Sequence, residues 1–150
     1  MNKSDFRHFF PVDVRWGDAD ALGHINNVQF VRYLESARVA YCDDVMGIQF
    51  KPGIDVGWIL AEMQCSYLRQ VHYPSSLDAC TAITRLGNKS ATISAYIYLN
   101  GDTSPVLTSQ GVMVWFDYKQ QKTASIPDLL RDKITGYEKT RIQTILSNVK

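Results

Sequence analysis

The segment from Val28 to about Met46 constrains this chain more than any other. Phe30, Leu34, Ala37, Tyr41 and Val45 recur at steps of three and four, the spacing that stacks side chains along one face of an α-helix. Val31, Val39, Ala40 and Cys42 lie between them, so the apolar surface is wider than one stripe. Such a helix expects cover on more than one side. Asn26 or Asn27 is placed to cap its start, and Gly47 to stop it.

The cover has to come from strands. Phe10, Val12, Val14 and Trp16 alternate with Pro11, Asp13 and Arg15, which predicts a half-buried strand over 10–16. Ile59, Ala61, Met63, Cys65 and Tyr67 predict one face of a strand that ends before Pro74. Leu77 to Leu86 reads as a second strand, closed by a turn at Gly87-Asn88. A third follows through Ile93, Ala95, Ile97 and Leu99, with a hairpin signal at Asn100-Gly101. Val112, Val114 and Phe116 mark the last strand. Ile126-Pro127 then introduces a short helix with Leu129, Leu130 and Ile134, interrupted near Gly136. This order predicts an α+β domain in which one long helix lies against an antiparallel sheet.

With 150 residues and no repeat or linker, the chain reads as one domain, 1–150, able to bury a core without staples. A net charge of +1 gives no reason to expect a nucleic-acid partner. No apolar run reaches the length of a membrane span, and the first residues lack the apolar core of a signal peptide. Cys42, Cys65 and Cys80 are odd in number and widely spaced, without a zinc pattern, and read as free thiols in a reducing compartment. A cytoplasmic protein with no metal is the expectation.

Familiar chemical motifs fail on inspection. Asp18-x-Asp20 begins like a calcium loop, but Leu22 and Gln29 stand where ligands are needed. Gly87-Asn88-Lys89-Ser90 lacks the second glycine of a phosphate loop. What remains is the stretch from Asp18 to Asn27: a strand end, two carboxylates, Gly23 and a helix start. The first turn of a helix offers unpaired N–H groups and partial positive charge to a developing oxyanion. A nearby carboxylate can act as base or nucleophile. That pairing suits acyl transfer or hydrolysis. Residue chemistry alone favours a plainer reading, in which Asp18 and Asp20 bond the N–H groups of their own loop.

The segment Asp18-x-Asp20-x-x-Gly23-His24-x-Asn26-Asn27, with Tyr33-Leu34-Glu35 and Arg38 downstream, resembles the hotdog-fold acyl-CoA thioesterases of the 4-hydroxybenzoyl-CoA thioesterase type. Trp58, Glu62, Tyr73-Pro74, Lys89-Ser90, Gly111 and Ile126-Pro127 extend the likeness from about Phe10 to Leu130. The resemblance implies a sheet wrapped around the long helix, and two subunits that join their sheets and share active sites at the interface. It implies hydrolysis of an acyl-CoA thioester without a cofactor, by a homodimer that assembles further into a tetramer. Asp20 would be the catalytic base or nucleophile, the backbone N–H at Asn27 would polarise the thioester carbonyl, and Gly23 would let the backbone approach. His24 would line the site or pack within the turn, and Asp18 would belong to the loop.

Lys89 and Ser90, with Arg85, fall where the family approaches the phosphates of coenzyme A; by charge alone they are a solvated hairpin. Glu35 and Arg38 most simply form an ion pair at i, i+3, and Glu62 is placed to face the partner's site. Asn27 and Trp16 depart from residues common in the family and leave the substrate open. Rival readings are an acyl-carrier-protein thioesterase, a non-catalytic acyl-CoA-binding module and, more weakly, a hydratase.

Overall fold

The computed structural model describes residues 1–139. Strand β1 (His8–Asp13) leads through a short 3-10 turn at Trp16–Asp18 into helix α1 (Asn27–Met46). Strands β2 (Val56–Tyr67), β3 (Ser76–Leu86), β4 (Ser90–Leu99) and β5 (Pro105–Asp117) follow, then the two-residue β6 (Lys122–Thr123) and helix α2 (Asp128–Tyr137). All pairings are antiparallel, in the order β1-β3-β4-β5-β2, with β6 beside β5. Strands β1 and β2 thus sit at opposite ends of that path. Helix α1 is the connection between them, carried across the concave face of the curled sheet.

The broad apolar surface of α1 is covered along its whole length. Its first half, Phe30, Tyr33, Leu34 and Ala37, packs on Val12, Leu77, Ala79, Ile97 and Leu107. The second half, Tyr41, Cys42, Val45 and Met46, packs on Trp58, Ile83, Met113 and Trp115 and on Leu130 and Ile134 of α2. Asn26 is the cap: its side chain accepts from the Val28 N–H at 2.9 Å. Gly47 ends the helix in the left-handed conformation at φ 69°. Helix α2 runs through Gly136 without the expected interruption.

Two strands depart from simple alternation. Strand β1 stops at Asp13, and Trp16 turns outward with 80% of its surface exposed; the 3-10 turn at 16–18 breaks the period that Val12 and Val14 keep. In β2 the pairing shifts between Leu60 and Glu62, leaving Ala61 as a bulge. An extra residue reverses which side chains point inward. Trp58 and Leu60 therefore face the core before the bulge, and Met63 and Cys65 after it. The expected face through Ile59 and Ala61 is corrected accordingly: Ala61 is exposed. On β5 the buried row is Leu107, Ser109, Gly111, Met113 and Trp115, and Val112, Val114 and Phe116 lie on the other face, half-buried.

Gly111 faces the bulge. A Cβ built there would lie 2.9 Å from the Glu62 carbonyl oxygen and 3.2 Å from Leu60 Cδ1. Backbone cannot yield as a flexible side-chain end can, so Gly111→Ala is expected to destabilise by about 1–3 kcal/mol, read as a lowered urea midpoint at unchanged slope. Burial pushes the thiols of Cys42 and Cys80 from 9.0 up to about 12. The unfolded chain releases those protons near pH 9 and the folded chain holds them, so their contribution is complete below pH 9 and is lost as pH rises towards 12. Urea midpoints measured from pH 8 upward should fall through that window, and less steeply in Cys42→Ser.

Candidate active site

The loop between β1 and α1 is built by two aspartates with different tasks. Asp18 Oδ2 accepts from the Arg15 N–H at 3.0 Å and from the Tyr33 hydroxyl at 2.5 Å. Its carbonyl accepts from the Asn26 N–H at 3.0 Å. Asp18 thereby ties the strand end, the first turns of α1 and the helix cap together. Tyr33 stays protonated far above the usual tyrosine range, through burial first and the Asp18 carboxylate second. Asp18 is a loop strut.

Asp20 is half committed. Its Oδ1 accepts from the N–H groups of Leu22 at 2.9 Å and His24 at 3.2 Å, an Asx turn of the kind that residue chemistry favoured. Backbone bonds from Asp20 N–H to the His24 carbonyl, 2.8 Å, and from Gly23 N–H to the Asp20 carbonyl, 3.0 Å, close the same loop. Gly23 sits at φ 81° with open space where a Cβ would stand; the glycine serves the turn's left-handed geometry. Asp20 Oδ2 has no partner among the described residues.

Asp20 borders a cavity of about 210 Å³. Asp20, His24, Ile25, Asn27 and Phe30 form one wall, and Tyr67, Leu68, Arg69 and Gln70 the other. The helix opens towards it. Asn26 satisfies the Val28 N–H through its side chain and the Gln29 N–H through its carbonyl. Of the first three N–H groups of α1, that of Asn27 alone has no partner among the described residues. Asp20, with an unpaired carboxylate oxygen, and Asn27, with an unpaired helix N–H, therefore line one cavity. The arrangement can activate a nucleophile and hold a developing negative charge.

Sequence reasoning left out the far wall. The Tyr67 hydroxyl approaches the Asn27 carbonyl at 3.4 Å, and burial raises its pKa, so it is a neutral donor. Arg69 is held by Asp102 Oδ2 at 3.2 Å and by the Ser104 carbonyl at 2.7 Å. Behind the loop, His72 stacks edge-on against His24 with ring centres 4.8 Å apart, and its Nδ1 lies 3.2 Å from the Gly23 carbonyl. Residues 68–72 carry no periodicity or motif; only Tyr67, the last residue of the strand face read from Ile59 onward, pointed this way.

Lys89, Ser90 and Arg85 are elsewhere. Tyr67 pairs with Leu107, and Leu107 with Ile97, whereas Ser90 pairs with Val114 at the other end of β4. The span from Ile97 to Ser90 is roughly 23 Å at strand rise. One chain does not bring these residues to Asp20. Lys89 and Arg85 are exposed and Ser90 half-buried.

The sequence pattern of the thioesterase-like superfamily matches residues 14–134. The chain belongs to that superfamily. Among individual relatives, the uncharacterized protein YsmA of Bacillus subtilis (strain 168) is 32% identical over 127 residues, 84% of each chain. The long-chain acyl-CoA thioesterase FadM of Escherichia coli (strain K12) is 24% identical over 123 residues, 82% of this chain and 93% of FadM. A thioesterase from Thermus thermophilus, solved in complex with coenzyme A and zinc, superposes with a TM-score of 0.80 at 28% identity, covering 90% of this chain and 96% of its own. In this thioesterase-like chain no helix among the described residues is long and apolar enough to cross a membrane.

The strut has a measurable consequence. Tyr33→Phe removes the hydroxyl that Asp18 receives and leaves a partly buried carboxylate short of a donor. A loss of about 1–3 kcal/mol is expected, read from urea unfolding. Phe retains the ring's packing, including its edge contact with Phe30 at 5.8 Å.

Proposed function

We propose that this chain is an acyl-CoA thioesterase that hydrolyses its substrate to a free carboxylic acid and CoA. The observation that carries this reading is the one cavity lined by both Asp20, which keeps an unpaired carboxylate oxygen, and Asn27, which keeps an unpaired helix N–H. The Asn27 N–H polarises the thioester carbonyl and receives its oxygen as the tetrahedral intermediate forms. Asp20 acts either as base, taking a proton from the attacking water and passing it to the sulfur as the C–S bond breaks, or as nucleophile, forming a mixed anhydride as the CoA thiolate leaves. In the second case water then hydrolyses that anhydride to the acid and restores Asp20, and its released proton neutralises the thiolate. His24 lines the site, and Gly23 keeps the loop backbone close to the thioester. Superfamily membership supports the reaction class, and the activity of FadM and the coenzyme A complex of the Thermus protein support the substrate class.

The working unit is a homodimer, which pairs further into a tetramer. Strand β2 is long and ends the sheet with no further strand beside it among the described residues, which is the edge a second copy can extend. A CoA held at Asp20 of one copy then meets Lys89, Ser90 and Arg85 of the other. Light scattering of the purified chain tests the assembly.

Thiol release from a panel that spans long-chain, short-chain and 4-hydroxybenzoyl CoA esters, with matched acyl-carrier-protein substrates, tests the activity. Asp20→Asn is a clean variant because Asn keeps an oxygen to accept from Leu22 and His24, so the turn survives and only the carboxylate is lost. A fall in kcat of at least about 10²-fold with an unchanged urea midpoint is expected. An undiminished kcat would remove Asp20 from the mechanism. Lys89→Ala should instead raise KM and leave kcat within about twofold, because phosphate contacts are alike in ground and transition states.

A further inference from the structure

The helix stripe that opens on the site continues inward. Phe30, Leu34 and Arg38 follow at steps of four along α1 and so share one side. Tyr67, Cys65 and Met63 run in parallel on the inner side of β2. The rings of Phe30 and Tyr67 stand 6.1 Å apart at the cavity end. At the inner end of this seam is a narrow cleft of about 20 Å³ walled by Leu34, Leu60, Met63, Ile93 and Gly111. That space accepts about one water or one oxygen substituent.

Its polar wall is unusual for such a place. Arg38 Nη2 donates to Glu35 Oε2 at 2.6 Å, and the Arg38 side chain is 14% exposed. Arg38 Nε is buried with no partner among the described residues. Ser109, buried on β5, completes the polar lining. A buried guanidinium N–H on a residue that lines an apolar cleft is costly until an acceptor reaches it. Glu35 already neutralises the cation, so a further carboxylate gains little and is repelled, whereas a neutral oxygen bonds without penalty.

We propose that Arg38, with Ser109, reads a hydroxyl or oxo oxygen on the distal part of the acyl tail. The preferred substrates are then oxygenated acyl groups rather than plain hydrocarbon ones. Distance sets which part of the tail is read: from Asn27 to Arg38 along the helix is roughly 16 Å, so an oxygen close to the thioester cannot reach. This inference rests on the acyl-CoA thioesterase reading and narrows its substrate.

The test compares dodecanoyl-CoA, 12-hydroxydodecanoyl-CoA and dodecanedioyl-CoA in wild type, Arg38→Met and Arg38→Lys. In parallel, calorimetry measures binding of the free acids dodecanoate and 12-hydroxydodecanoate, which needs no turnover. Wild type should favour the hydroxylated ester by about tenfold in kcat/KM, since water can fill the empty cleft for the plain one. The ratio should fall to about one in Arg38→Met and recover in part in Arg38→Lys. Equal treatment of the two tails by wild type in both measurements overturns the inference, as does a ratio unchanged in Arg38→Met or a preference for the diacid. Binding of neither acid, with no ester hydrolysed, overturns it too. Tighter binding of the hydroxy acid without hydrolysis of any ester leaves the inference standing and removes the activity reading instead. Should Arg38→Met fail to fold, the wild-type comparison and Ser109→Ala, expected to lower the ratio, decide it.

Discussion

A helix with apolar side chains on more than one side has to be wrapped, and the rest of this structure follows from that. Tyr41, Ala37 and Cys42 have no exposed surface, and Phe30 and Leu34 almost none. A flat sheet would cover one side only. The sheet instead curls, with β1 and β2 at its two ends and α1 laid between them. Because α1 is also the link between those end strands, its first turn emerges beside the loop that leaves β1. The burial that stabilises the fold is therefore what sets a helix N-terminus against the aspartate loop.

Two aspartates two residues apart show how the same side chain can be spent on structure or kept available. Asp18 is drawn inward, under the Tyr33 hydroxyl, and closes the join between strand and helix. Asp20 gives only Oδ1 to its turn. The turn holds the carboxylate in place without satisfying it, and Asn26 caps two helix N–H groups while leaving the third. Fixed groups that keep unmet hydrogen-bonding capacity need little reorganisation when charge develops. The plain turn and an available carboxylate are thus not competing descriptions of the loop.

Much of this was legible in the residues. The three-and-four spacing from Phe30 to Val45 gave the helix, its cap and its stop, and the Asp18–Asn27 segment gave the loop. Local alternation failed where one residue changes the phase. The Ala61 bulge is invisible in the string because Ile59, Ala61 and Met63 are all apolar; only the cross-strand register and the close approach of Gly111 to Glu62 disclose it. Trp16 misled for a related reason: it keeps the period of Val12 and Val14 after the strand has ended. The far wall of the cavity, Tyr67 to Gln70, comes from a segment distant in sequence, and no local pattern announces a contact that the wrapped sheet creates.

The separation of Asp20 from Lys89 has a consequence for how a CoA ester can be handled. Asp20 sits in the loop before α1 and Lys89 in the turn between β3 and β4, and the β4 span of roughly 23 Å from Ile97 to Ser90 separates the two ends of the sheet. If Lys89, Ser90 and Arg85 hold phosphates for this reaction, they do so for another copy. Antiparallel extension at β2 accomplishes this simply, because a two-fold axis across an edge strand sets the start of each β2 against the end of the other. The end of β2 carries Tyr67 and the Asp20 cavity; its beginning lies level with the Leu86–Ser90 turn, through Ile59, Val114 and Ser90. The same operation that pairs the open edges would thus bring the hairpin of one copy to the aspartate loop of the other.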